Sequence, residues 1–189
     1  MSLDINALAQ ELAAAYAAGA PIASTPTARD ASFDIASAYA VEAELLRRRC
    51  LEGRIPLGRK VGFANKAMWR VLKLDTLVWA HMYDDTVVTA PDGNGSLALG
   101  RRFSPRIEPE IVFKLKAPLA AGTSDAAVAL AAVEWMAVGF EIIDCLFPDW
   151  KFQPADFVAA YGLHTALIVG TPVPVMPENI IRAVKRLLS

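Results

Sequence analysis

"PRIEPEIVFKL", Pro105 to Leu115, poses the question on which the fold turns. Ile107, Ile111, Val112, Phe113 and Leu115 have the β-branched and aromatic character of a buried strand. Glu108 and Glu110 stand inside that run, with Pro109 between them. Alternate residues of a strand face the same side, so the two carboxylates point together. Ionised carboxylates that close repel, and burial adds to the cost. A solvated strand face, with Ile107 and Ile111 turned inward, is one way to tolerate them; a bound cation is another.

Two further segments bear on that choice. "GFEIIDC", Gly139 to Cys145, places Glu141 inside a second apolar strand, with Asp144 three residues on. "GRKVGF", Gly58 to Phe63, sets Lys60 in a third apolar segment that holds Gly58 and Gly62. Buried charges are ordinarily paired or hold a metal. If Glu108, Glu110 and Glu141 converge, they form an all-oxygen site suited to a hard divalent cation, Mg2+ or Mn2+. Water or substrate oxygens would complete the coordination. On that reading the cation, and not a protein partner, accounts for the paired glutamates.

Outward from this stretch the chain reads as α+β: helices first, then a mostly β core with helical insertions. Residues 3–18 have helical spacing, with Asp4 as N-cap and Gly19 as the stop. Residues 34–52 are strong helix formers that end at Gly53. "IPLGRKVGFA" reads as a strand and "NKAMWRVLKL" as a helix. From residue 77 the texture turns to β in "VWAHMYDDTVVT", "SLAL" and "RIEPEIVFKL", with a turn at "PDGNG". "TSDAAVALAAV" returns to helix, capped by Ser124 or Asp125. "MAVGFEIIDCLF" and "LHTALIVGTPVPV" read as strands, and "PADFVAAYG" as a short helix between them. The division expected is an N-terminal helical region over 1–55 and a β-rich core over 56–189, forming one compact unit.

Bulk properties exclude several partners. The 189 residues carry 19 basic and 20 acidic side chains, a net charge of −1, and 54% are hydrophobic. Such a chain can bury a large core, and no basic run offers a nucleic-acid surface. The first residues lack the basic start of a secretory signal, and "DAAVALAAVEWMAVGFEII" is interrupted by Glu134 and Glu141, so neither leader nor membrane span is expected. Cys50 and Cys145 are too few for a disulfide framework and fit a reducing cytoplasm.

"GRKVGFANKAM", "HMYDDTV", "IEPEIVFKL", "FEIIDCLFPDWKF" and "DFVAAYG" follow one another in an order and spacing that resembles the fumarylacetoacetate hydrolase superfamily. The particular likeness is to its branch of 2-keto-4-pentenoate hydratases and 4-oxalocrotonate decarboxylases, from about the first helix to Gly170. The resemblance implies that Glu108, Glu110 and Glu141 are metal ligands and that Lys60 lies near the substrate. It also implies a lyase that acts on a small 2-keto acid through a metal-stabilised enolate, with Lys60 as acid/base or as a cation near the developing charge. Of Asp84 and Asp85, which most simply end a strand and start a turn, it makes one, taken as Asp85, a pocket member. His164 falls where the family's substrate-facing run stands and is a catalytic candidate. His81 reads as a strand-end histidine held by neighbouring backbone, with catalytic base as the competing role.

The chain also departs from the branch. Val78, Trp79 and Ala80 stand where the hydratases carry an aspartate, an aromatic residue and a glycine. "YGLHT", Tyr161 to Thr165, replaces a polar Asn-Ala-Ser run. A shifted substrate or a changed reaction is expected. An acylpyruvate C–C hydrolase is an alternative, although such chemistry usually uses a His–Glu pair and none is evident in the sequence. A non-catalytic or impaired homologue that folds by association is another. The family continues through further strands after "TALIVGTPVPV", whereas this chain ends in "MPENIIRAVKRLLS", which has helix character. Open edges and apolar faces are expected to make it a homo-oligomer.

Overall fold

The computed structural model describes residues 3–100 and 102–176. The helix expected over the last residues lies outside them. The fold divides into two compact units.

The first unit comprises, of the described residues, 3–87, 98–100, 102–106 and 142–165. Helix α1, Ile5–Ala18, starts where the Asp4 carboxylate accepts from the Ala7 amide and stops at Gly19, whose φ of 61° closes the C-cap. Helix α2, Pro26–Arg29, is a single turn capped by Thr25. Helix α3, Ile35–Leu51, is capped by Asp34 and buries Ala38, Val41, Glu42 and Leu45. Those four positions follow the i, i+3, i+4, i+7 stripe of a core-facing helix. Strand β1, Pro56–Gly62, pairs antiparallel with β2, Val78–Tyr83, which sets Lys60 opposite Ala80. Residues 56–83 therefore pack in the same unit as the N-terminal helices. The segment read as one helix from residue 65 is a 3-10 turn, Lys66–Met68, followed by the one-turn α4, Trp69–Leu72.

Helix α6, Pro154–Ala159, packs on α3 and is buried along its whole length. Asp156, fully buried, organises its start. Its carboxylate accepts from the Thr27 amide at 2.8 Å, the Thr27 hydroxyl at 2.6 Å and the Gln153 amide at 2.8 Å. Leu8, Leu12, Val41, Leu45, Phe147 and Val158 form the centre of this core. A second buried carboxylate, Asp144, accepts the backbone N–H groups of Phe103 and Ser104 at 2.8 and 2.7 Å.

The second unit comprises, of the described residues, 88–97, 107–141 and 166–176. The strands that run through it are β3, Val87–Thr89, β4, Arg106–Leu115, β5, Val133–Ile143, and β6, His164–Val169. They form a four-stranded sheet in the order β3-β6-β5-β4. Helix α5, Ala126–Ala131, is capped by Asp125 and leads into β5. "SLAL", read as strand, is irregular.

Strand β4 occupies the sheet edge, which corrects its reading as a buried strand. Ile107 is 62% exposed, and Phe113 and Leu115 are each 47% exposed. An edge position also explains Pro109, because proline lacks the N–H that a central strand would need. Strand β5 lies between two neighbours, and Glu141 on it is only 1% exposed.

Candidate functional site

Glu108 and Glu110 lie on one face of β4, both half-buried, and Glu141 projects from β5 beside them. A carboxylate oxygen from each lies within 4.8 Å of the others. Glycine at 139, two residues before Glu141, belongs to this packing. A Cβ there would come within 2.9 Å of Val112 Cγ2 and 3.0 Å of the Ile168 carbonyl oxygen. Three acidic oxygens with one fully buried member are a donor set that fits a hard cation. The structure thus brings together the three glutamates singled out in the sequence.

Lys60, Asp85 and His164 belong to the first unit. Lys60 is 8% exposed; its ammonium donates to the Gly162 carbonyl at 3.0 Å and lies 4.9 Å from the Phe157 ring centroid. Gly162 has φ 58°, and a Cβ there would meet Lys60 Cδ at 3.0 Å and Ala80 Cβ at 2.9 Å. Only a residue without a side chain leaves room for the lysine stem. Asp85 is exposed in the turn after β2, with its carboxylate against Arg49 at 2.5 Å and Arg54 at 3.3 Å.

His164 is buried, and its Nε2 lies 2.9 Å from Thr86 Oγ1. That hydroxyl donates its one proton to the Tyr83 carbonyl while accepting from the Tyr83 amide. The remaining interaction therefore has His164 Nε2 donating to the Thr86 hydroxyl.

His81 is held differently from its sequence reading. Its Nδ1 and its backbone N–H both face the buried Glu42 carboxylate, at 2.6 and 3.2 Å. Trp79 meets the imidazole edge-on at 5.2 Å. The His–Glu pair not evident in the sequence exists, with its partners 39 residues apart. A signal for it was available, because Glu42 sits in the apolar stripe of α3 where a leucine or alanine would be ordinary.

His81 and His164 both line a cavity of about 230 Å³ in the first unit, together with Arg48, Arg49, Tyr83 and Thr165. Lys60 and Asp85 do not line it. Burial, the largest cause, pushes the Tyr161 phenol at its edge up to about 12 and raises the Tyr83 phenol well above its usual value. Both are protonated donors at neutral pH. Val78, which stands in place of a polar residue, is fully buried in the core.

An α+β protein with an all-glutamate oxygen cluster on a sheet in one unit, and buried helices in another, is the class these features define. No protein-family model matches the chain. It is 30% identical over 168 residues to a 4-oxalocrotonate decarboxylase of a Pseudomonas species, spanning 89% of this chain and 63% of that one. It is 31% identical over 156 residues to a 2-hydroxypent-2,4-dienoate hydratase of Pseudomonas putida, spanning 82% and 68%. Among solved structures, the 4-oxalocrotonate decarboxylase from Pseudomonas putida G7 complexed with magnesium and adipate matches with a TM-score of 0.81 at 26% identity, over 88% of this chain and 62% of that one. The chain belongs to the family of 2-keto-4-pentenoate hydratases and 4-oxalocrotonate decarboxylases, within the fumarylacetoacetate hydrolase superfamily. It spans about three fifths of the length of these two decarboxylases. Among the described residues, no helix is long and apolar enough to cross a membrane.

Proposed function

We propose that this chain carries a divalent-metal site for lyase chemistry on a small 2-keto acid, of the hydratase or decarboxylase type. The observation that carries the reading is the convergence of Glu108, Glu110 and Glu141 within 4.8 Å, with Glu141 buried. Mg2+ or Mn2+ held there would supply Lewis acidity towards the carboxylate and keto oxygens of such an acid. The glutamates would hold and orient; the edge position of β4 leaves two of them half-buried and within reach of a small ligand. Lys60, a desolvated ammonium, suits proton transfer or the placing of positive charge. His164 would act in proton transfer, and Asp85 would act by fixing Arg49.

Calorimetry with Mn2+ on the parent and on Glu108→Gln and Glu110→Gln tests the metal site. Each variant is expected to lose at least about tenfold in affinity, the scale on which removing a charged ligand acts. Affinity unchanged in both would overturn the reading.

The His81–Glu42 pair favours a second reading, acylpyruvate C–C hydrolysis, since a histidine oriented by a buried carboxylate is built to activate water. Release of a free acid together with pyruvate, rather than a hydrated or decarboxylated product, would distinguish it.

The exposed Ile107, Phe113 and Leu115 on the edge strand support self-association of this chain. The two free cysteines, Cys50 and Cys145, suit the cytoplasm. Light scattering is expected to return at least twice the monomer mass; a clean monomer at micromolar concentration would count against the association.

A further inference from the structure

Three consecutive residues beside Lys60 take the left-handed backbone conformation. Tyr161, Gly162 and Leu163 have φ of 54°, 58° and 59°. Glycine adopts that region freely; tyrosine and leucine do so against the crowding of Cβ by the following carbonyl. Left-handed residues ordinarily occur singly, and strain that persists in a fold gathers where it positions chemistry. We infer that this turn is a positioning device for Lys60: its backbone aims the Gly162 carbonyl at the ammonium and fixes where that cation sits. The inference rests on the reading of Lys60 as a group of the lyase site.

The hydrogen bonds of the turn single out that carbonyl. The Ala160 carbonyl accepts from the Leu163 amide at 2.8 Å and the Tyr161 carbonyl from the His164 amide, so two bonds close the turn. The Leu163 carbonyl accepts from the Asp144 amide at 2.9 Å. The Gly162 carbonyl takes the Lys60 ammonium instead, at 3.0 Å and 102 residues away in the chain. A right-handed turn between the same ends would carry its peptide planes the other way round and direct this oxygen elsewhere.

Packing holds the strained residues in place. Leu163 is buried in the core of its unit. The Tyr161 ring meets the Tyr16 ring edge-on at 4.9 Å, and the Tyr16 hydroxyl donates to the Ala160 carbonyl at 3.3 Å. Moving either residue to the right-handed region would pull its side chain out of that packing. The lysine is confined from a second side by the Phe157 ring, whose centroid lies 4.9 Å from the ammonium. One N–H on the carbonyl and one flank against a ring restrict where the other protons point. A lysine that transfers a proton or places a charge needs that restriction.

Gly162→Ala sets a Cβ 3.0 Å from Lys60 Cδ and 2.9 Å from Ala80 Cβ. Ala80→Gly combined with Gly162→Ala clears the second contact, so the lysine stem is the nearest group left to yield and the fold is spared. In metal-free protein labelled at the lysine side-chain nitrogen, the Lys60 NMR signal is assigned by its absence from Lys60→Met. It is expected to move in both Gly162 variants. Turnover of oxaloacetate, a 2-keto acid that loses CO2 through an enolate, is then followed at saturating Mg2+. Its kcat should fall about 10²-fold in both variants, the scale of a misplaced catalytic group, with KM within about twofold of the parent. On the Lys60→Met background, Gly162→Ala should cost less than about twofold more, because the turn acts through the lysine. A Lys60 signal unmoved in both variants, or an undiminished kcat in both, would overturn the inference. So would a loss as large on the Lys60→Met background as on the parent, which would leave the turn a purely structural role. Full turnover by Lys60→Met, or none by the parent, tells against the lyase reading instead, and the Lys60 signal then decides alone on the turn.

Discussion

Turnover of a 2-keto acid by Lys60→Met is expected to fall by about 10²–10⁴-fold, the range that a positioned acid or base contributes. Melting temperature should shift little. Methionine preserves the stem volume that packs against Gly162 and Phe157, and removing an ammonium from an 8% exposed position relieves desolvation. Against that stands the donor lost by the Gly162 carbonyl, worth about 1 kcal/mol, or roughly 2–4 °C for a chain of this size. Kinetics at saturating Mg2+ and a thermal melt on the same preparation separate the roles. Undiminished turnover would remove Lys60 from the site. A collapsed melt would make it a structural cation.

Asp156→Ala should give the largest loss of stability, of order 3–5 kcal/mol. The carboxylate is fully buried and accepts from two backbone amides and one hydroxyl. Hydrogen bonds to a charged group are worth about 1.5–3 kcal/mol each, and three on one residue add incompletely. Truncation strands the Thr27 and Gln153 N–H groups and removes half of the capping box of α6. Because α6 packs on α3, the loss should reach the centre of the helical core. Urea unfolding measures it. A change below about 1 kcal/mol would mean that water replaces the carboxylate at this helix start.

Periodicity and caps made most of the elements legible. Asp4 and Asp125 each cap the helix expected of them, Asp34 caps the helix that was read as starting on it, and Arg106–Leu115 is a strand over the residues that read as one. The exposure of β4 was not legible, because apolar content reports what a strand could bury and not which neighbour it finds. Ile107 and Phe113 look alike in sequence whether central or at an edge; Pro109 was the one local hint of the edge. The glutamate cluster was readable because spacing of two on a strand fixes a shared face, and a lone acid in another apolar run invites a partner. Lys60 stood out for the same reason. Glu42 in the apolar stripe of α3 signalled a buried acid, but that its partner is His81, and that Asp144 clamps Phe103 and Ser104, depends on contacts between residues distant in the chain, which no local pattern encodes.

The Asp144 clamp has a consequence for how the chain breathes. Residues 98–100 and 102–104 have no regular secondary structure, and loops of that kind ordinarily exchange their amide protons quickly. Here the Phe103 and Ser104 amides end on a carboxylate that is 4% exposed, and the Trp150 indole donates to the Ser104 hydroxyl at 3.0 Å. Those protons can leave only when Asp144 gives up both partners, so the loop and the segment after β5 open as one event. Among the described residues, the turn at 92–94, where Asp92 and Asn94 sit exposed, has side-chain hydrogen bonds only within itself. Evolutionary insertions and engineered tags belong there and not at Phe103. A loop that looks dispensable by its backbone is, by its hydrogen bonds, part of the core.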